Sequence, residues 1–95
     1  MIKAEDLFDA VMAANDVGAT GLKILLVNKI ALHRLQVHEI AEELKASGPL
    51  VSRTLDKLEE MGLIERLRDQ KEDRRRVYVG LTKKGETFIK NVLNS

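Results

Sequence analysis

A chain of 95 residues lies below the size at which one hydrophobic core stops growing and splits. The expectation is therefore a single domain over residues 1–95, which excludes a multi-domain enzyme. With 44% apolar and 33% charged residues but a net charge of only +1, the chain has enough to bury and too little excess charge for a disordered polymer.

Taken from the N-terminus, Leu7, Val11 and Ala14, with Phe8 and Met12 beside them, share one helical stripe within residues 3–14. Asn15-Asp16-Val17-Gly18 reads as the turn that closes this helix. Thr20 is positioned to cap a second helix predicted to about His33. Its residues Leu22, Ile24, Leu25, Leu26, Val27, Ile30, Ala31 and Leu32 leave almost no polar face, so it belongs at the centre of the domain. Leu35-Gln36 reads as a short link. Val37, Ile40, Ala41 and Leu44 then fall at i, i+3, i+4 and i+7, which predicts a short amphipathic helix over Val37 to Lys45.

Ala46-Ser47-Gly48-Pro49 interrupts that helix, because serine and glycine favour caps and turns and proline is tolerated only in a first turn. The next helix, from about Pro49 to Met61, has Val51, Leu55 and Leu58 on one stripe and stops at Gly62, the expected left-handed terminator. At about 100° per residue, Pro49, Arg53, Asp56 and Lys57 fall opposite that stripe, with Leu50 and Ser52 on its flanks. After Gly62 the period changes: residues 63–68 and 77–81 are rich in apolar and β-branched side chains and flank a charged stretch, which predicts an antiparallel hairpin. Thr82, followed by Lys83-Lys84-Gly85-Glu86, opens a terminal helix whose Phe88, Ile89, Val92 and Leu93 give it an apolar face.

The near-neutral total hides an asymmetry. Residues 1–46 carry five basic against seven acidic side chains, and residues 47–95 carry eleven against eight. Between Arg66 and Arg76 alone there are six basic residues and three acids, a local excess suited to a polyanion. Catalysis is poorly supported: there is no glycine-rich phosphate loop, no Gly-x-Ser-x-Gly and no paired-histidine metal motif. His33 and His38 stand at the ends of different elements and read as surface residues, so no cofactor or metal is expected. The absence of cysteine removes a disulfide framework, a thiolate zinc site and a cysteine nucleophile, and suits a reducing compartment. Acidic Glu5, Asp6 and Asp9 argue against a signal peptide, and the apolar run from Leu22 to Leu32 is too short to span a bilayer. A cytoplasmic protein without a membrane partner is the expectation.

Two short helices joined by a tight glycine-containing turn, followed by a hairpin with an arginine-rich tip, make a winged helix-turn-helix. The fold class is then mainly α with a β-hairpin wing, the helix-turn-helix at about 37–61 and the wing at about 63–81. A helix fits the major groove of DNA, where Arg53 can reach base-edge acceptors and Ser52 a base or a phosphate. A basic loop beside it can lay arginines along phosphates or into the minor groove. The expected contact surface comprises Ser47, Pro49, Leu50, Ser52, Arg53, Lys57 and the wing residues Arg74, Arg75 and Arg76. For Arg53 a surface ion pair with Asp56 or Glu60 is an equal alternative, and for the wing arginines the alternative is loop solubility.

These residues resemble a known family. Val37-His38-Glu39-Ile40-Ala41-Glu42-Glu43-Leu44, Ser47-Gly48-Pro49-Leu50-Val51-Ser52-Arg53, Leu58-Glu59-Glu60-Met61-Gly62-Leu63-Ile64-Glu65-Arg66, Glu72-Asp73-Arg74-Arg75 and Val79-Gly80-Leu81-Thr82-Lys83-Lys84-Gly85 are together similar to the MarR family of winged-helix transcription regulators. The resemblance implies that residues 47–57 form the recognition region and that Asp73-x-Arg75 is the wing signature, the acid orienting the arginine toward the minor groove. It also implies a homodimer on a palindromic double-stranded DNA site, often a repressor, with terminal helices 3–14 and 83–94 serving dimerisation. Members run longer, with long first and last helices around an effector pocket; Phe8, Tyr78 and Phe88 are the only aromatics here and lend a small-molecule effector little support. PadR-like and ArsR-like winged helices are also similar in compactness, and the ArsR type lacks its cysteines here. A plasmid or viral DNA-partition or DNA-organising protein, and a protein-interaction module, are the competing functions.

Overall fold

A computed structural model describes the backbone of residues 4–68 and 76–94, and side chains within that range from Asn15 onward. In chain order the elements are α1 (Ala4–Ile30), β1 (Leu35–Gln36), α2 (Val37–Leu44), α3 (Gly48–Glu60), β2 (Ile64–Arg68), β3 (Val77–Leu81) and α4 (Lys83–Asn94). The architecture is the winged helix-turn-helix expected from the sequence, with one more strand.

The two predicted N-terminal helices are present as two helical segments of α1 that meet at a kink, and only their bounds need correction. Helical backbone continues through residues 15–17 and breaks only at Gly18, whose φ of 81° and ψ of 168° lie in a region open essentially to glycine. Asn15 and Asp16 are exposed and Val17 is buried, so the polar pair that reads as a turn is simply a solvated helix face. At its other end α1 stops at Ile30 rather than His33, with Ala31 N donating to Val27 O at 3.0 Å as its last bond.

Local signals set the remaining helices. Ser47 Oγ accepts from Leu50 N at 3.2 Å, which satisfies one of the free donors at the start of α3, and Pro49 sits in the first turn where its missing N–H costs nothing. Gly62, at φ 78°, ends α3; its N–H donates to Glu59 O at 2.9 Å, and Leu63 N donates to Leu58 O at 2.9 Å. Thr82 Oγ1 accepts from Gly85 N at 2.9 Å and itself donates to Gly62 O at 2.6 Å, so one hydroxyl both caps α4 and ties it to the end of α3. Lys84 Nζ reinforces that junction by donating to Met61 O at 3.0 Å, a cation at the negative end of the α3 dipole.

The sheet is three-stranded and antiparallel in the order β1-β3-β2, with Ile64 opposite Leu81 and Arg68 opposite Val77. The supposed link Leu35-Gln36 is its third strand, paired with Val79 and Tyr78. Two residues are too few to show a period, so pairing with β3 makes this strand, not propensity. Ile24, Leu25, Ile40, Val51, Leu55, Leu58, Ile64, Val79 and Ile89 are buried completely or nearly so and form one core from every large element. Each such side chain contributes roughly 1.5–3 kcal/mol on leaving water. The α3 stripe is thereby locked inward, and its opposite face is committed to solvent.

Candidate nucleic-acid interface

The outer face of α3 carries Ser52, Arg53, Asp56 and Lys57, all exposed, and its N-terminal end presents Ser47, Pro49 and Leu50. Ser47 is engaged as a cap, so its side chain is oriented by Leu50 N. Thr54 Oγ1 returns to Leu50 O at 2.8 Å and turns its polar atom back onto the helix. What α3 offers outward is therefore a small set: a serine hydroxyl, a guanidinium, an ammonium, the Asp56 carboxylate and the apolar edge of Leu50.

Arg53 is not paired with Asp56 or Glu60; among the described residues it makes no ion pair. Asp56 is bonded instead to Arg66 on β2, whose Nη2 donates to Asp56 Oδ1 at 2.6 Å and to Ser52 O at 3.2 Å. In the sequence Arg66 stands out only as part of the basic run, with no place in the expected contact surface. A strand period and a helix period are each legible alone, but neither says which residue of one meets which residue of the other.

Arg76 is exposed and immediately precedes β3, adjoining the pair Arg68 and Val77 that closes the observed ladder. Asp73, Arg74 and Arg75 lie outside the described residues. β2, which carries Arg66, packs against α3 and pairs along its length with β3. On the far side of β2, Arg34 Nη2 and Glu65 Oε1 stand 3.8 Å apart, an exposed pair of small energetic weight.

Ile89 is consumed by the core of the single chain and Phe88 packs against it, while Leu93 is 59% exposed, so the apolar face of α4 is not available as a whole for a partner. Among the described residues no three His, Asp or Glu side chains are grouped to hold a metal ion, and no helix is long and apolar enough to cross a membrane.

Comparison with known proteins adds the relatives. A family model described as the MarR family matches residues 18–76. Among curated proteins none matches the chain. Solved structures do: MepR of S. aureus in complex with DNA superposes with a TM-score of 0.79 at 26% identity, covering 95% of this chain and 72% of that one. A variant of MarR from E. coli complexed with operator DNA gives 0.75 at 28% identity, with 84% and 56% covered. A protein from Mycobacterium tuberculosis gives 0.79 at 19% identity, with 94% and 59% covered. The chain thus spans little more than half the length of the last two.

Proposed function

Because the chain belongs to the MarR family, we propose that it is a sequence-specific DNA-binding transcriptional regulator, a homodimer that represses by occupying a palindromic operator. The observation that carries the reading is the exposed face of α3, where Arg53 stands without an ion pair among the described residues, on a helix packed against β2, the strand that precedes the arginine-rich stretch in sequence. Ser47, Pro49, Leu50, Ser52, Arg53 and Lys57 enter or border the major groove, and Arg74, Arg75 and Arg76 follow phosphates or the minor groove, with Asp73 orienting Arg75. A planar guanidinium is the side chain best matched to the paired acceptors of guanine. Relatives solved with DNA support the choice of ligand.

If Arg53 reads a base, Arg53→Ala should cost about 1–3 kcal/mol on the preferred duplex and flatten preference at one position, whereas a phosphate contact would weaken all sequences alike. Binding isotherms on the best duplex recovered from a random-sequence pool, and on its point-substituted versions, decide between them. Unchanged affinity on every duplex would remove α3 from the interface.

Dimerisation is assigned to residues 3–14 and 83–94, where Leu93 supplies exposed apolar surface. Two-fold symmetry would set the two α3 helices roughly 34 Å apart or a multiple of it, one DNA turn per half-site. Sedimentation equilibrium should show a dimer at micromolar concentration, and the footprint should be symmetric; a monomer with a single half-site footprint contradicts the assignment.

A further inference from the structure

We propose that Arg66 is a positioning residue for DNA recognition: by holding the Asp56 carboxylate it fixes the outer face of α3 against the wing strand and keeps Arg53 unpaired for the groove. The inference rests on the DNA-binding reading above and deepens it, because it concerns how that surface is kept competent.

The two protons of Arg66 Nη2 are both used, one on Asp56 Oδ1 at 2.6 Å and one on the Ser52 carbonyl at 3.2 Å. The Arg66 side chain is 27% exposed against 67% for Asp56, so the cation reaches out from beneath and draws the carboxylate toward β2. Its Nε is buried and, among the described residues, finds no acceptor. Such burial of a donor is unfavourable, and the short charge-assisted bond at Nη2 offsets it. An ammonium could not replace this geometry, since a lysine offers a point charge and not a planar fork.

Arg53 lies three residues before Asp56, which makes them neighbours on the helix surface. Glu60, the other carboxylate considered for it, is seven residues away and nearly two turns along. Asp56 is therefore the natural rival to DNA for the Arg53 guanidinium. Arg66 wins the carboxylate because it is partly shielded from water and anchored by a second acceptor, whereas Arg53 is exposed. Asp56 in turn is bridged to β2 and presents less free negative charge to an approaching phosphate.

The test uses a duplex recovered from a random-sequence pool with the wild-type protein, a scrambled duplex, and a thermal melt of each variant. In Arg66→Met, the ratio of specific to non-specific affinity should fall about threefold, the size expected when an exposed ion pair forms in competition. The penalty of Arg53→Ala should shrink by the same factor in that background. Adding Asp56→Asn to Arg66→Met removes the rival carboxylate and should return the Arg53→Ala penalty to its wild-type size, which neither a purely structural role for Arg66 nor a simple loss of charge would do. Arg66→Lys keeps the charge and most of the stem, so it should lower the ratio with an unchanged salt slope, and it carries the test if Arg66→Met does not fold. An Arg53→Ala penalty that is the same in all backgrounds, with the wild type binding DNA, overturns the positioning role alone. A wild-type protein that binds no duplex in a salt-dependent way overturns the DNA-binding reading and this inference with it.

Discussion

Raising the salt from 50 to 200 mM should weaken binding of this protein to its preferred duplex by about 10³-fold or more. The cations expected at phosphates are Lys57 on the outer face of α3, Arg76 immediately before β3, and Arg74 and Arg75 in the stretch between the strands. A dimer doubles them, and about six to eight phosphate contacts release a matching number of condensed counterions, each of which contributes to the slope of log affinity against log salt. The chain's net charge of +1 gives no hint of so steep a dependence. Affinity depends on where charges lie, and here the basic excess is confined to the second half of the chain. Fluorescence anisotropy across a salt series measures the slope directly. A slope near zero would favour a protein-interaction module, and a footprint that lengthens as protein is added would favour a DNA-organising protein that spreads from a site.

The second large effect belongs to Gly85→Ala, which should destabilise the fold by about 3 kcal/mol or more, at the upper end of what overpacking costs in well-packed cores. Gly85 is buried in the first turn of α4, and a Cβ there would fall inside the van der Waals boundary of the Leu63 carbonyl oxygen. Neither partner is a flexible side chain. The Leu63 oxygen is held by Thr82 N at 3.2 Å, while Gly85 N is held by Thr82 Oγ1, so relief requires α4 to move away and break the junction with the α3 end. Ile89 would be drawn out of the core with it. For a domain of this size the melting temperature should drop by roughly 12–24 °C. Gly48→Ala is the contrasting control: beyond its chain neighbours its Cβ meets nothing within 4 Å, so its only cost is the strain of a Cβ in helical backbone before Pro49, and it should destabilise far less than Gly85→Ala. A melting temperature for Gly85→Ala within 2 °C of wild type, taken as about half a kcal/mol, would show that the close approach is not rigid.

The candidate site was partly legible. Arg53 and Lys57 fall on the outer face of α3 because Val51, Leu55 and Leu58 claim the inner one, and a helical wheel suffices for that. Whether Arg53 is available was not legible: a carboxylate at i+3 argues for a pair, and only the docking of β2 brings Arg66 to that carboxylate first. Thr82 shows the same division within one side chain. Its bond to Gly85 N is a cap readable from three residues' spacing, and its bond to Gly62 O joins residues twenty apart.

Sequence alone determined what is encoded within one or two turns of chain: the amphipathic stripes of α2, α3 and α4, the serine, glycine and threonine that start and stop them, and the change of period into the hairpin. These choices follow from local sterics and from the need to satisfy nearby backbone groups, so neighbours in sequence are enough to decide them. Tertiary structure decided the rest. The two-residue β1 exists only through its register with β3, and Gly85 is obligatory only because the Leu63 carbonyl is packed against it. Each depends on a partner brought from elsewhere in the chain by packing of the shared core, and the energy of such contacts is absent until that core has formed.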